Sequence, residues 1–159
     1  MKRMEIKGLL LDPISNTPVV VLKDAEEKFF LPIWIGVFEA NAIALRIENV
    51  STPRPLTHDL FSRTLGELRV RVERVVINDL RDNTFYARII LDREGESIEV
   101  DSRPSDALAL ALRFDAAIYV EEEVLEKSGK IEVEDARNPD RLRKWLEEID
   151  PEELGKYKM

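Results

Sequence analysis

The strongest constraint on this chain is a repeat. Residues 5–46 align with residues 72–113 at an offset of 67, without a gap. Nine of the 42 aligned positions are identical. Asp12, Asn16, Thr17 and Glu27 match Asp79, Asn83, Thr84 and Glu94. Ala40, Ala42, Ala44, Leu45 and Arg46 match Ala107, Ala109, Ala111, Leu112 and Arg113. The local pattern repeats with them. Strands are expected at 4–11, 19–23 and 28–35, then a helix at 37–48. Strands at 69–77, 84–91 and 97–101 follow, then a helix at 104–113. Shared order and the absence of gaps favour an internal duplication over two units of similar composition. The fold class expected is α+β, a mixed sheet with packed helices, its repeats at about residues 4–50 and 69–117.

Within the first unit, Phe29, Leu31, Ile33 and Ile35 alternate and should share one face, with Trp34 on the other. Residues 78–83 and 93–95 read as turns. Pro53 and Pro55 stiffen the loop before a further helix at 57–68, for which Thr57 is the expected N-cap. After the second unit, Ala117–Val120 suits one more strand and 121–127 a short acidic helix ending at Ser128-Gly129. Asn138-Pro139-Asp140 has the form of a helix start, and Leu142, Trp145, Leu146 and Ile149 form an apolar stripe behind it. Residues 1–120 are thus expected to make the main domain, with 121–159 an acidic helical extension packed on it.

Composition narrows the function. With 159 residues and 44% hydrophobic content, one domain with a real core is expected. There is no cysteine, so disulfides and thiolate metal sites are excluded. No apolar run is long enough to span a bilayer, and no signal-peptide pattern follows Met1, so a cytoplasmic protein without membrane contact is expected. Charged residues make up 35% of the chain, and glutamine is absent, which suits a thermophile. The net charge of −8 argues against a sequence-independent nucleic-acid clamp built on excess Lys and Arg. It leaves room for an enzyme acting on nucleic acid.

Two corners could carry chemistry. In the first, Arg54, His58 and Asp59 gather at a stiff loop and a helix start. An imidazole beside a carboxylate and a guanidinium could relay protons or hold a phosphate. The same residues also serve a capped helix, with Asp59 complementing its dipole. The second corner holds Asp101, Arg103 and Asp106. Pro104 and Asp106 suit a helix start, whereas carboxylates clustered there could bind a divalent metal. Glu39 occupies the matching place in the first unit, so Glu39 and Asp106 could face one another across a shared cleft. No glycine-rich phosphate loop or Gly-x-Ser-x-Gly is present, and one histidine excludes His-rich metal sites. Nor does the sequence show an aromatic-basic stripe of the kind that stacks single-stranded bases.

Four stretches together resemble the bifunctional nuclease family. They are Leu31-Pro32-Ile33-Trp34-Ile35-Gly36, Pro53-Arg54-Pro55-Leu56-Thr57-His58-Asp59-Leu60, Asp82-Asn83-Thr84-Phe85-Tyr86-Ala87 and Asp101-Ser102-Arg103-Pro104-Ser105-Asp106-Ala107. The resemblance covers about residues 4–120. It implies an oligomeric α+β protein with nuclease activity on DNA and RNA. On this reading the chemistry is metal-assisted hydrolysis. Asp101, Asp106 and Glu39 would hold Mg²⁺ or Mn²⁺, with no organic cofactor. His58, oriented by Asp59, would act as general base or acid together with Asp106, and Arg54 and Arg103 would bind phosphate oxygens. The alternative from the residues is a non-enzymatic binding or assembly module.

Overall fold

In the computed structural model, which describes residues 1–128, a seven-stranded mixed sheet carries four helices. The strands are β1 (Lys2–Leu11), β2 (Pro18–Asp24), β3 (Phe30–Trp34), β4 (Val70–Arg81), β5 (Thr84–Arg93), β6 (Glu96–Ser102) and β7 (Ala117–Val120). The helices are α1 (Val37–Ile47), α2 (Thr57–Glu67), α3 (Pro104–Phe114) and α4 (Glu122–Lys127). The readings at 129–159, including the expected helix at 138–149, lie outside the described residues.

The sheet order is β3-β2-β1-β7-β4-β5-β6. Each side of β7 is an antiparallel three-stranded meander followed by a helix. β7 is antiparallel to β1 and parallel to β4, so the two meanders run in opposite directions. Matched turns share an unusual backbone. Asn16 and Asn83 have φ of 56° and 61°, and Glu27 and Glu94 have φ of 55° and 49°. Positive φ is uncommon for residues with a Cβ, and Asn tolerates it best. Matched turn chemistry and shared element order describe an arrangement; they do not by themselves establish a duplication.

Turns differ from the sequence reading in length. The expected turn at 78–83 shrinks to Asp82-Asn83, and β4 runs on to Arg81. Two residues at positive φ make the hairpin turn whose twist matches the flanking strands, so six are not needed. Glu94-Gly95 closes the next hairpin likewise, at φ of 49° and 89°. Elsewhere buried carboxylates hold the turns. Asp12 accepts from Ile14 N, Ser15 Oγ and Trp34 Nε1 (2.9, 3.0 and 3.0 Å), and Asp24 accepts from the N–H groups of Lys28 and Phe29.

Leu31, Ile33 and Ile35 share the core face as expected, with Trp34 on the other, and all five residues Phe30–Trp34 are buried. Leu31 and Ile33 join the main core with Val20, Leu22 and Ile43. Phe30 and Trp34 are buried with Val19 and Val21, on the other face by strand alternation. There Asp12 takes the indole N–H, and the Lys7 ammonium lies 4.7 Å from the Phe30 ring centre. A strand with both faces covered gives no polar–apolar contrast for a pattern to detect.

Helix α3 is central: seven of its eleven residues are buried. It packs on β4, β5 and β7 and receives α1 and α2 against its flank. Alanine at 107, 109 and 111, facing a helix with alanine at 40, 42 and 44, permits that close approach. Helix α2 contributes no fully buried residue, only the partly buried Leu65 against the core, so a polar contact must complete its seating.

Arg113 does so. Its side chain, only 5% exposed, lies in the last turn of α3. Nε donates to Asp59 Oδ1 of α2 (2.8 Å), Nη2 to the Ala42 carbonyl of α1 (3.2 Å) and Nη1 to the Ala109 carbonyl (2.9 Å). One guanidinium therefore joins three helices. Removing one partner of a buried pair strands the other, at a cost of about 3–5 kcal/mol. Arg113→Met should destabilise the protein by about that much in urea denaturation. Adding Asp59→Asn should cost little more, because the carboxylate has already lost its arginine and the amide oxygen can still accept the Leu56 N–H.

Candidate active site at three helix starts

Three helices begin close together, and each carries an acid at its third position. Glu39, Asp59 and Asp106 fill that place in α1, α2 and α3. An acid there complements the helix dipole. Asp59 uses it locally: Oδ2 accepts the Leu56 N–H at 3.0 Å, while Oδ1 takes Arg113. Leu56, not the expected Thr57, is the N-cap; Thr57 is already helical. Asp59 seats α2 through its carboxylate, and the Leu56 side chain supplies no capping hydrogen bond.

Glu39 and Asp106 turn toward each other instead. Arg103, the residue before α3, lies between them. Its Nε donates to Asp106 Oδ2 at 2.9 Å, and Nη2 donates to Glu39 Oε1 at 2.8 Å. His58 completes the group, with Nε2 2.8 Å from Asp106 Oδ1. The sequence reading expected Asp59 to orient the imidazole; the structure pairs it with Asp106. His58 and Asp59 are adjacent in α2, about 100° apart around the axis, so one side chain faces Asp106 while the other faces Arg113.

Gly36 belongs to this arrangement, and sequence reasoning missed it. It precedes α1 at an ordinary φ of −72°. A Cβ there would collide with Glu39 Oε2, since the carboxylate folds back over the glycine toward Arg103. The signal available was a glycine three residues before the acid, where unit two has Arg103 before Asp106.

The other expected residues have different partners. Asp101 is in β6, and its nearest cation is Arg88 of the adjacent strand, 3.7 Å away. Asp101 is thus not brought to the Glu39–Arg103–Asp106 cluster. A strand residue beside a helix start in sequence can still point to the other face of the sheet. Arg54 is exposed in the proline loop, where its carbonyl accepts from Thr52 Oγ1 at 2.7 Å. Among the described residues, no three His, Cys, Asp or Glu side chains are grouped to hold a metal ion. Glu39 and Asp106 each present an oxygen to Arg103, so the donor set expected for Mg²⁺ or Mn²⁺ does not fit a preformed metal site.

The cluster is open to solvent at Arg103, which is 51% exposed, while Glu39, His58 and Asp106 are partly buried beneath it. Exposed ion pairs add only about 0–1 kcal/mol each. Arg103 can therefore exchange a carboxylate for a ligand oxygen at small cost, whereas Arg113 cannot. Neither α1 nor α3 has a side-chain cap, so the anion-favouring first turns of both helices lie beside Arg103.

The hydrogen bond to His58, followed by the bond and charge of Arg103, holds the Asp106 carboxyl below its usual 3.8 against the opposing effect of burial. Asp59 is also lowered: burial raises it, but the Leu56 N–H and Arg113 outweigh that. A depressed carboxyl contributes stability at pH above its unfolded value and loses it as pH falls through the folded value. Urea denaturation should therefore show stability declining once pH drops below about 4. Asp106→Asn should make that acid decline shallower and leave its onset in place.

A family model described as the bifunctional nuclease domain matches residues 20–133. Two uncharacterized proteins from strains of Mycobacterium tuberculosis are each 41% identical over 157 residues, covering 94% of both chains. Bifunctional nuclease 2 of rice, Oryza sativa subsp. japonica, is 30% identical over 136 residues. That match spans 82% of this chain and 42% of the rice protein.

Proposed function

The chain belongs to the bifunctional nuclease domain family, and on that premise we propose that it hydrolyses phosphodiester bonds of DNA or RNA at the His58–Asp106–Arg103–Glu39 corner. One observation carries the reading. A histidine, two carboxylates and an arginine from three separate helix starts form one hydrogen-bonded group, with the arginine outermost.

Each residue then has a role. Arg103 and the first-turn N–H groups of α1 and α3 take the non-bridging phosphate oxygens. With Nε2 engaged by Asp106, His58 has Nδ1 for the reacting water. His58 removes a proton as the water oxygen bonds to phosphorus, and Asp106 stabilises the imidazolium that results. The bond to the sugar oxygen breaks, and that oxygen takes a proton from solvent. Glu39 holds Arg103 in place before substrate arrives. Arg54, on the loop before α2, adds a second contact to the phosphate chain. Asp101 has no role here. The carboxylates expected for Mg²⁺ or Mn²⁺ are engaged by Arg103, so no step is routed through a metal.

A second reading is supported by the apolar surface of α1 and α2, where Val37, Leu60 and Leu68 are exposed. It is an assembly module in which these residues meet another copy of the chain. Cleavage assays on plasmid DNA and an RNA oligonucleotide separate the two. His58→Ala and Asp106→Asn should each slow cleavage by about 100-fold or more. Activity should persist in EDTA if the metal-free scheme holds. Undiminished cleavage in both variants would remove the site assignment. Absence of cleavage by the wild type, with Mg²⁺, with Mn²⁺ and with neither, would remove the activity.

A further inference from the structure

Two exposed phenylalanines belong to the helices that build the charged corner. Phe38 precedes Glu39 in the first turn of α1 and is 87% exposed, the most exposed large apolar side chain among the described residues. Phe61 lies three residues after His58 in α2 and is 49% exposed. Residues three apart on a helix are face neighbours, with Cβ atoms about 5–6 Å apart. Each of the two helices that supply Glu39 and His58 thus carries a solvent-facing ring within one turn of the residue it supplies. Exposing a phenylalanine to this degree in a folded domain forgoes the burial that such side chains usually obtain.

The net charge sets a limit on how nucleic acid can be held. A duplex offers a protein mainly phosphates, and this chain, at −8, is poorly equipped to neutralise many of them. Base faces are hidden inside a duplex stack and open in a single strand. A ligand that is anionic at one point and flat and apolar beside it matches both parts of the surface. We infer that the corner takes an unpaired stretch of nucleic acid, its phosphate at Arg103 and its flanking bases stacked on Phe38 and Phe61. This rests on the nuclease reading for the phosphate and adds to it the class of substrate. Sequence alone did not show it, because the rings are 23 positions apart and only the packing of α1 and α2 against α3 brings their helix starts together.

The test is fluorescence anisotropy with the full chain and a labelled single-stranded oligonucleotide, free and annealed to its complement. Each assay is done alongside cleavage of the same two substrates. The single strand should bind at least tenfold more tightly, with a shallow dependence on salt, because few counterions are released. Phe38→Ala and Phe61→Ala should each weaken single-strand binding by about 5- to 150-fold, the range for losing one base–aromatic stack. Phe61→Tyr should retain most of the affinity, whereas Phe61→Leu, apolar but without a ring, should lose it. Equal affinity for the two forms, or no binding to either, would overturn the inference. So would full single-strand binding by both alanine variants, and a change in sedimentation without a change in binding would assign the rings to a subunit contact. Binding without cleavage would overturn the nuclease reading and leave the stacking in place. Cleavage of both forms at equal rates would do the reverse.

Discussion

A buried guanidinium needs its charge and its donors met, and Arg113 has them met by three helices at once. The rest of the helical layer depends on that requirement. Apolar burial seats α3 on the sheet and draws α1 to it through alanines. It contributes less to α2, none of whose residues is fully buried and of which Leu65 packs partly buried on the core. Asp59, reaching Arg113 with one oxygen and its own helix start with the other, supplies the attachment. With α2 in place, His58 is delivered to Asp106.

Two arginines near opposite ends of one helix therefore do different work. Arg113 is enclosed, and its loss leaves a carboxylate without compensation in a low-dielectric setting. Arg103 is half exposed and bridges two acids in a medium that screens them. The first is an anchor, and the second can yield to a ligand. Both acids beneath Arg103 come from the third position of a helix, so their approach follows from how α1 and α3 pack. The corner is built by helix starts rather than by loops, which keeps its groups on rigid supports.

Much of the fold was legible. Seven strands and the four helices among the described residues stand where periodicity and turn residues place them, with ends shifted by a few positions. The misreadings have distinct physical causes. The turn at 78–83 looked long because Asp79, Asp82 and Asn83 are turn formers, yet β4 absorbs the first of them. In β3 the expected sharing of one face by Leu31, Ile33 and Ile35, with Trp34 on the other, holds, and both faces are covered. Thr57 looked like a cap, but the helix begins one residue earlier and is held by Asp59. The site was partly legible: Glu39 and Asp106 were expected to face one another, and they do so through Arg103. Asp59 and Asp101 were assigned by nearness in sequence, and each is committed to a different arginine.

By itself the sequence determined the order of strands and helices, because hydrophobic period and turn chemistry are local properties of the chain. It determined the kinds of group available at each helix start for the same reason. Only the tertiary structure decided which acid meets which base. His58 faces Asp106, 48 positions away, and not its neighbour Asp59, because adjacent residues on a helix diverge by about 100°. Arg113 became an anchor and Arg103 a surface bridge because burial, which belongs to the packed fold, sets what a charge costs.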